Sequence, residues 1–249
     1  MNHPRGLSVP EAGPAHFSRN FIRQAVCELR FPTLFEIESD RPPLEFASRL
    51  RQEFPVYESL QDVKVGPVGV APGRAHMFSS KRSRWTVTLR AAAISIATNR
   101  YESFEEFFEK LELVVKAAAD VIDSDFFTRV GLRYINNLPF GDEDLAKWLN
   151  PDLIGVVSKG LFGEVREFSG RVAGDLDIGG FLFQHGLALD AESGRAKSEY
   201  VLDFDFFSED IEIGHAATVI KELHSKEFSL FRWALGERAM AFLDAPTKR

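Results

Sequence analysis

A chain of 249 residues and 28.0 kDa has room for one large domain or two small ones sharing a core. Its 45% hydrophobic and 27% charged residues are ordinary for a globular protein, while 23 phenylalanines against 4 tyrosines point to packing between sheet and helices, or to an aromatic-lined pocket. A net charge of −7 and a pI near 5.5 argue against general affinity for nucleic acid or anionic membrane.

The first fifteen residues hold three prolines and two glycines and read as a mobile arm, taken as residues 1–20. They contain no apolar run, so a signal peptide is not expected. The lone Cys27 excludes an internal disulfide, and no stretch approaches the ~18 apolar residues of a membrane span; a cytoplasmic location is expected.

Residues 22–31 form the first expected strand, with Ala25, Cys27, Leu29 and Phe31 alternating against Gln24, Glu28 and Arg30. Leu44, Phe46, Ala47, Leu50 and Phe54 then follow one face of a short helix that Pro55 stops. Residues 61–73, rich in Val, Gly and Pro, suggest an irregular edge or loop, with 69–73 a turn. A hairpin is expected from 74–79 and 84–90, followed by a strand at 93–98. Ser103 is the expected N-cap of a long helix ending near Asp123, whose apolar stripe includes Phe107, Phe108, Leu111, Val114 and Ala118.

A second series begins at Phe127. Val130, Leu132 and Tyr134 alternate with Arg129, Gly131 and Arg133. A short helix over 142–149 is closed by Asn150-Pro151. Strands follow at 163–173, 181–190 and 200–207, with turns at 160–163 and 191–194. A long helix is expected over 215–242, and then a polar tail.

The two series share a plan of strand, short helix, three strands and long helix, so the chain reads as an internal duplication with repeats at 21–124 and 125–249. The expected fold is α+β: one compact body with an antiparallel curved sheet and the long helices on one face, leaving a concave side for a ligand. The copies differ in charge. Residues 1–124 carry 16 basic and 16 acidic side chains, whereas 125–249 carry 14 and 21, the whole net negative charge.

No nucleophile elbow, phosphate loop or dinucleotide fingerprint occurs, and the six histidines form no i,i+3 or i,i+4 pair. No cofactor is expected. The best carboxylate pair is Asp203 and Asp205, on the face of a strand opposite Leu202, Phe204 and Phe206. Two carboxylates ~7 Å apart can share a cation or act as acid and base, or they can pair with arginines of neighbouring strands. Those arginines are Arg129 and Arg133 on one strand and Arg84 and Arg90 on another. Together the six residues describe a ligand-binding groove for an anion or single strand, or mutual neutralisation across the sheet. Lys81, Arg82 and Arg84 form a separate basic spot at a hairpin tip.

The segment Thr128-Arg-Val-Gly-Leu-Arg-Tyr-Ile-Asn-Asn137 resembles that of a sporadically distributed family of uncharacterised bacterial and archaeal proteins of about this length. Val26–Phe31, Tyr101–Phe107, Leu202–Asp205 and the closing helix around Phe228–Leu243 are similar to that family too, over nearly the whole chain beyond the arm. The chain departs from it after Tyr101, where Glu-Ser-Phe stands in place of a common Trp. The resemblance implies a shared fold and no reaction; the family's patchy distribution implies an accessory role in defence or toxin–antitoxin systems. The functional expectation is a non-enzymatic binding protein for a protein partner, a second copy or an anionic ligand. The alternatives are a metal-assisted hydrolase or nuclease-like enzyme using Asp203 and Asp205, and a nucleic-acid-binding module.

Overall fold

Period-two alternation and the Pro, Gly and Asn punctuation organise most of the chain as expected. The computed structural model describes residues 6–13, 15–66, 69–119, 121–189 and 196–246. Its strands are β1 (Ile22–Arg30), β2 (Val56–Gly66), β3 (Gly69–Ser79), β4 (Trp85–Arg90), β5 (Ala93–Thr98), β6 (Phe126–Leu138), β7 (Ser169–Leu176), β8 (Gly179–Leu189) and β9 (Ala196–Glu212). They form one nine-stranded antiparallel sheet in the order β2-β3-β4-β5-β1-β6-β9-β8-β7. The helices are α1 (Leu44–Leu50), α2 (Phe104–Ala119), α3 (Leu145–Trp148), α4 (Pro151–Ser158), α5 (Ala216–Ala234) and α6 (Glu237–Asp244). The α+β class is as expected. Among the described residues no helix is long and apolar enough to cross a membrane.

Three expectations are corrected. Residues 61–73 are not a loop: most of them lie in the hairpin of β2 and β3, with Gln61 opposite Arg74 and Val63 opposite Pro72. The first half therefore has four strands after its short helix, not three. Pro72 is tolerated because β3 pairs with β4 only over Ala75–Ser79, so at Pro72 the missing N–H faces no neighbour. Asn150-Pro151 opens a helix as well as closing one, since the Asn150 side chain accepts the Asp152 N–H (3.0 Å) and Pro151 sits in the first turn of α4. The strand expected at 163–173 accordingly starts later, at Ser169. The turn at 191–194 lies outside the described residues, as do residues 1–5 and 247–249.

The third correction concerns the closing helix, which breaks between α5 and α6. The Ala234 carbonyl accepts the Asn150 N–H (2.9 Å), and the Gly236 N–H donates to the Trp148 carbonyl (2.8 Å). A Cβ at Gly236 would lie 2.5 Å from the Lys147 oxygen. The backbone around Trp148 occupies the groove that an uninterrupted helix would close.

The chain divides into two compact units, each discontinuous in sequence: Gln24–Leu132 with Phe207–Ile220, and Met1–Arg23 with Arg133–Phe206 and Lys221–Arg249. In the first, opposed residues make continuous apolar rows: Cys27, Ile96 and Val87 in one, Leu29, Ile94 and Leu89 in the next, all buried. Helix α2 covers its own apolar stripe, and Phe107 lies 5.7 Å from Trp85. The Ser103 hydroxyl accepts the Glu106 N–H (3.2 Å), the cap expected from the sequence. Buried His76 is structural, bonded through Nδ1 to the Tyr57 hydroxyl (3.0 Å) and through Nε2 to the Ile37 carbonyl (2.7 Å). Burial pushes the Cys27 thiol well up, so it is an inert core side chain.

In the second unit Phe21 stacks on Phe242 (5.1 Å), beside Trp148. The N-terminal segment lies on the helices: Phe17 is 6.2 Å from Phe228, the Ala12 N–H donates to the Ser229 hydroxyl (3.1 Å), and Arg19 donates to the Pro246 carbonyl (2.9 Å). Beneath β8 and β9, Phe183 stacks on Phe204 (4.7 Å) and Phe181 on Phe206 (5.4 Å). The phenylalanine surplus is therefore largely core, held between sheet and helix.

Candidate functional site

Strand alternation decides which side chains are available for chemistry. In β9, Leu202, Phe204 and Phe206 are fully buried, which leaves Asp203 and Asp205 on the opposite face. On the same face of β6 is Arg133. Its Nε donates to Asp203 Oδ1 (2.8 Å) and its Nη2 to Oδ2 (2.6 Å), a bidentate pair. Both Asp203 oxygens are thus engaged. The hydrogen bonds raise the affinity of Arg133 for its proton, with the Asp203 and Asp205 charges reinforcing them, against a smaller opposing effect of burial. The arginine side chain remains 45% exposed.

A shallow depression of about 480 Å³ opens beside this pair, lined by Arg171, Gln184, His185, Val201 and Asp203 over the backbone of Gly170 and Gly186. The two glycines are steric requirements. A Cβ on Gly170 would meet the His185 ring, and one on Gly186 would meet the Phe168 carbonyl. His185 shares a 2.6 Å hydrogen bond with the buried Tyr200 hydroxyl. Burial lowers the histidine's proton affinity and raises the tyrosine's pKa, which favours the neutral form of both near pH 7.

Below the sheet, Glu227 on α5 is 1% exposed, and among the described residues neither carboxylate oxygen has a hydrogen-bond partner of good geometry. Burial drives its pKa well above the usual range; the Asp205 and Asp203 charges add to this, and the Tyr134 backbone acts against them. Burial thus favours its neutral form.

The other three expected residues belong to different surroundings. Arg129 lies over the Phe207 ring (4.7 Å) and 3.9 Å from the Glu28 carboxylate, covering Gly131. Arg84 lines a separate depression of about 280 Å³ with Lys81, Arg82, Glu106 and the ion-paired Lys110 and Glu53. Arg90 stands on β4 opposite Ala75 and Ala93, away from that depression. Of the six, Arg133 and Asp203 are in direct contact and Asp205 is two residues along the same strand.

Sequence reasoning missed Gln184, Arg171, His185 and Glu227. For Glu227 a signal existed: a carboxylate on the helical stripe formed by Ile220, Leu223 and Phe231 is out of pattern. For Gln184 and Arg171 none did, because their juxtaposition depends on the register of β7 against β8. Among the described residues no group of three or more His, Cys, Asp or Glu is placed to hold a metal ion. No protein-family model matches this chain, and no curated protein matches it.

Proposed function

We propose that this is a non-enzymatic binding protein that offers the polar face of its sheet to a protein or a small anionic ligand. The observation that carries the reading is the depression that Asp203 lines, where Gln184 and Arg171 present hydrogen-bond donors over a glycine floor and Arg133 holds Asp203 in place. Such a surface complements a carboxylate or phosphate. The hydrolase reading asks Asp203 for a cation, yet both its oxygens serve Arg133.

The internal duplication belongs to the same proposal, with α2 and α5 on one face of a curved sheet and the polar face concave. Two features support it. The strand order runs outward in the same sense on both sides, with β5 next to β1 and β9 next to β6. Even-numbered residues of β6 are buried from Val130 to Leu138, which assigns one continuous side of that strand to the core. An accessory role in a cytoplasmic defence or toxin–antitoxin system follows from the family resemblance.

Affinity capture from the native host tests the reading, using the wild type and the Gln184→Glu and Arg133→Ala variants, each shown to be folded by its melting curve. A stoichiometric ligand on the wild type, weakened about tenfold by either change, is expected. No stoichiometric ligand, or equal retention by the variants, overturns it.

A further inference from the structure

Strand β7 is the last in the sheet order, and five of its eight residues (Ser169, Arg171, Val172, Ala173 and Asp175) are exposed. Natural edge strands are blunted by charged side chains, Pro, bulges or a covering segment. The sequence Ser-Gly-Arg-Val-Ala-Gly-Asp-Leu has no Pro, and its two charges are opposite in sign and four residues apart, so they repel a random strand less than they complement an antiparallel copy. We propose that β7 is the site at which a second copy of this chain binds, strand against antiparallel strand, about a two-fold axis at Ala173.

The Leu187 N–H donates to the Phe168 carbonyl (2.9 Å), and the ladder continues with Ser169 opposite Gly186 and Gly170 opposite His185. Hydrogen-bonded and non-hydrogen-bonded pairs alternate along an antiparallel ladder. Gly170, Val172 and Gly174 therefore turn their N–H and C=O groups toward β8, and Arg171, Ala173 and Asp175 turn theirs to the open edge. No backbone or side-chain hydrogen bond to those three groups occurs among the described residues.

A two-fold axis at Ala173 places Ala173 against its own copy and Arg171 against Asp175 of the second copy, twice. Three opposed pairs then exchange about six backbone hydrogen bonds. The same register creates two cross-strand ion pairs on one face. Arg171, which has no ion-pair partner among the described residues of its own chain, acquires one. Sliding the axis to Arg171 or to Asp175 would oppose like charges; sliding it to Val172 or Gly174 keeps outward groups opposed but sets Arg171 or Asp175 against Ala173 and loses both ion pairs. On the other face Val172, 50% exposed, comes to lie over Gly174 of the second copy, at the place where the Phe181 ring fills the space of the missing Cβ. Hydrogen-bonding parity admits this register, and the charge spacing selects it.

This inference concerns the second copy expected from the sequence and does not depend on the ligand of the polar face. Sedimentation equilibrium and light scattering of the purified chain, without added ligand, test it. The wild type is expected to show a concentration-dependent dimer. Arg171→Asp or Asp175→Arg alone should weaken it about tenfold, and the double exchange Arg171→Asp with Asp175→Arg should restore it. Ala173→Pro removes an N–H that β8 does not use, so it should abolish the dimer while circular dichroism stays unchanged. A wild type that is monomeric up to about 0.5 mM overturns the proposal. So does a dimer indifferent to the single exchanges and to Ala173→Pro, or one that the double exchange fails to restore. Failure here leaves the polar-face reading intact, because that reading is tested by ligand capture with Arg133→Ala on β6, whereas Gln184→Glu, opposite Arg171, would bear on both.

Discussion

Glu227 is the residue at which burial and charge conflict most openly. A carboxyl with no good partner at 1% exposure is tolerated only as the neutral acid. The linkage has a definite sign. Below the ordinary value of 4.5 both folded and unfolded chains hold the proton, and Glu227 costs nothing on this account. As pH rises past that value the unfolded chain releases its proton while the folded one retains it, so stability falls until the raised folded pKa is reached. Glu227→Gln is therefore expected to be more stable than the wild type at pH 7–8, by about 1–3 kcal/mol in urea denaturation. The two should converge near pH 4; an advantage independent of pH would show that the charge is not the cause. Arg133 and Asp203 behave differently. Their bidentate geometry is good, but with 45% of the arginine side chain in water the pair orients the face more than it stabilises the fold.

The break between α5 and α6 shows how an element boundary can be imposed from outside. Nothing in Phe231-Arg-Trp-Ala-Leu-Gly-Glu stops a helix by local propensity except one glycine, and a single glycine weakens a helix without ending it. The backbone around Trp148 ends it, through the Asn150-to-Ala234 and Gly236-to-Trp148 hydrogen bonds and the isolated bridge between Leu149 and Leu235. The Asn150 side chain adds a bond to the Trp233 carbonyl (2.9 Å). Gly236→Ala should destabilise by about 1–3 kcal/mol, because the new Cβ meets the Lys147 oxygen at 2.5 Å and neither partner is a flexible side-chain end. Equilibrium unfolding measures it. A neutral or stabilising effect would mean that the helix junction shifts freely, and that the packing at Lys147 does not hold it.

For the whole molecule, the net charge of −7 sets the long-range field. Neither Lys81, Arg82 and Arg84 at the β3–β4 turn nor Arg171 on β7 offsets it. At about 150 mM salt the protein is expected not to shift single-stranded DNA or RNA in a gel assay. Retention that falls steeply with salt, and that Arg133→Ala or Arg129→Ala removes, would instead support the nucleic-acid reading.

Read alone, the sequence determined the α+β class, the alternation of β1, β4, β5 and β9, the cap and stripe of α2, and the separation of Asp203 and Asp205 from the buried aromatics. These are local periodicities, and burial of one face enforces them wherever the element ends up. The β2–β3 hairpin, the Asn150-Pro151 restart, the helix break at Gly236 and the depression holding Gln184 and Arg171 were decided only in three dimensions. Each depends on which backbone lies against which, and in what register. Cross-strand partners tens of residues apart leave no mark on the periodicity of either segment. The aromatic surplus was legible as core. That Arg133 would engage both oxygens of Asp203 was only one of two readings, until β6 lay beside β9.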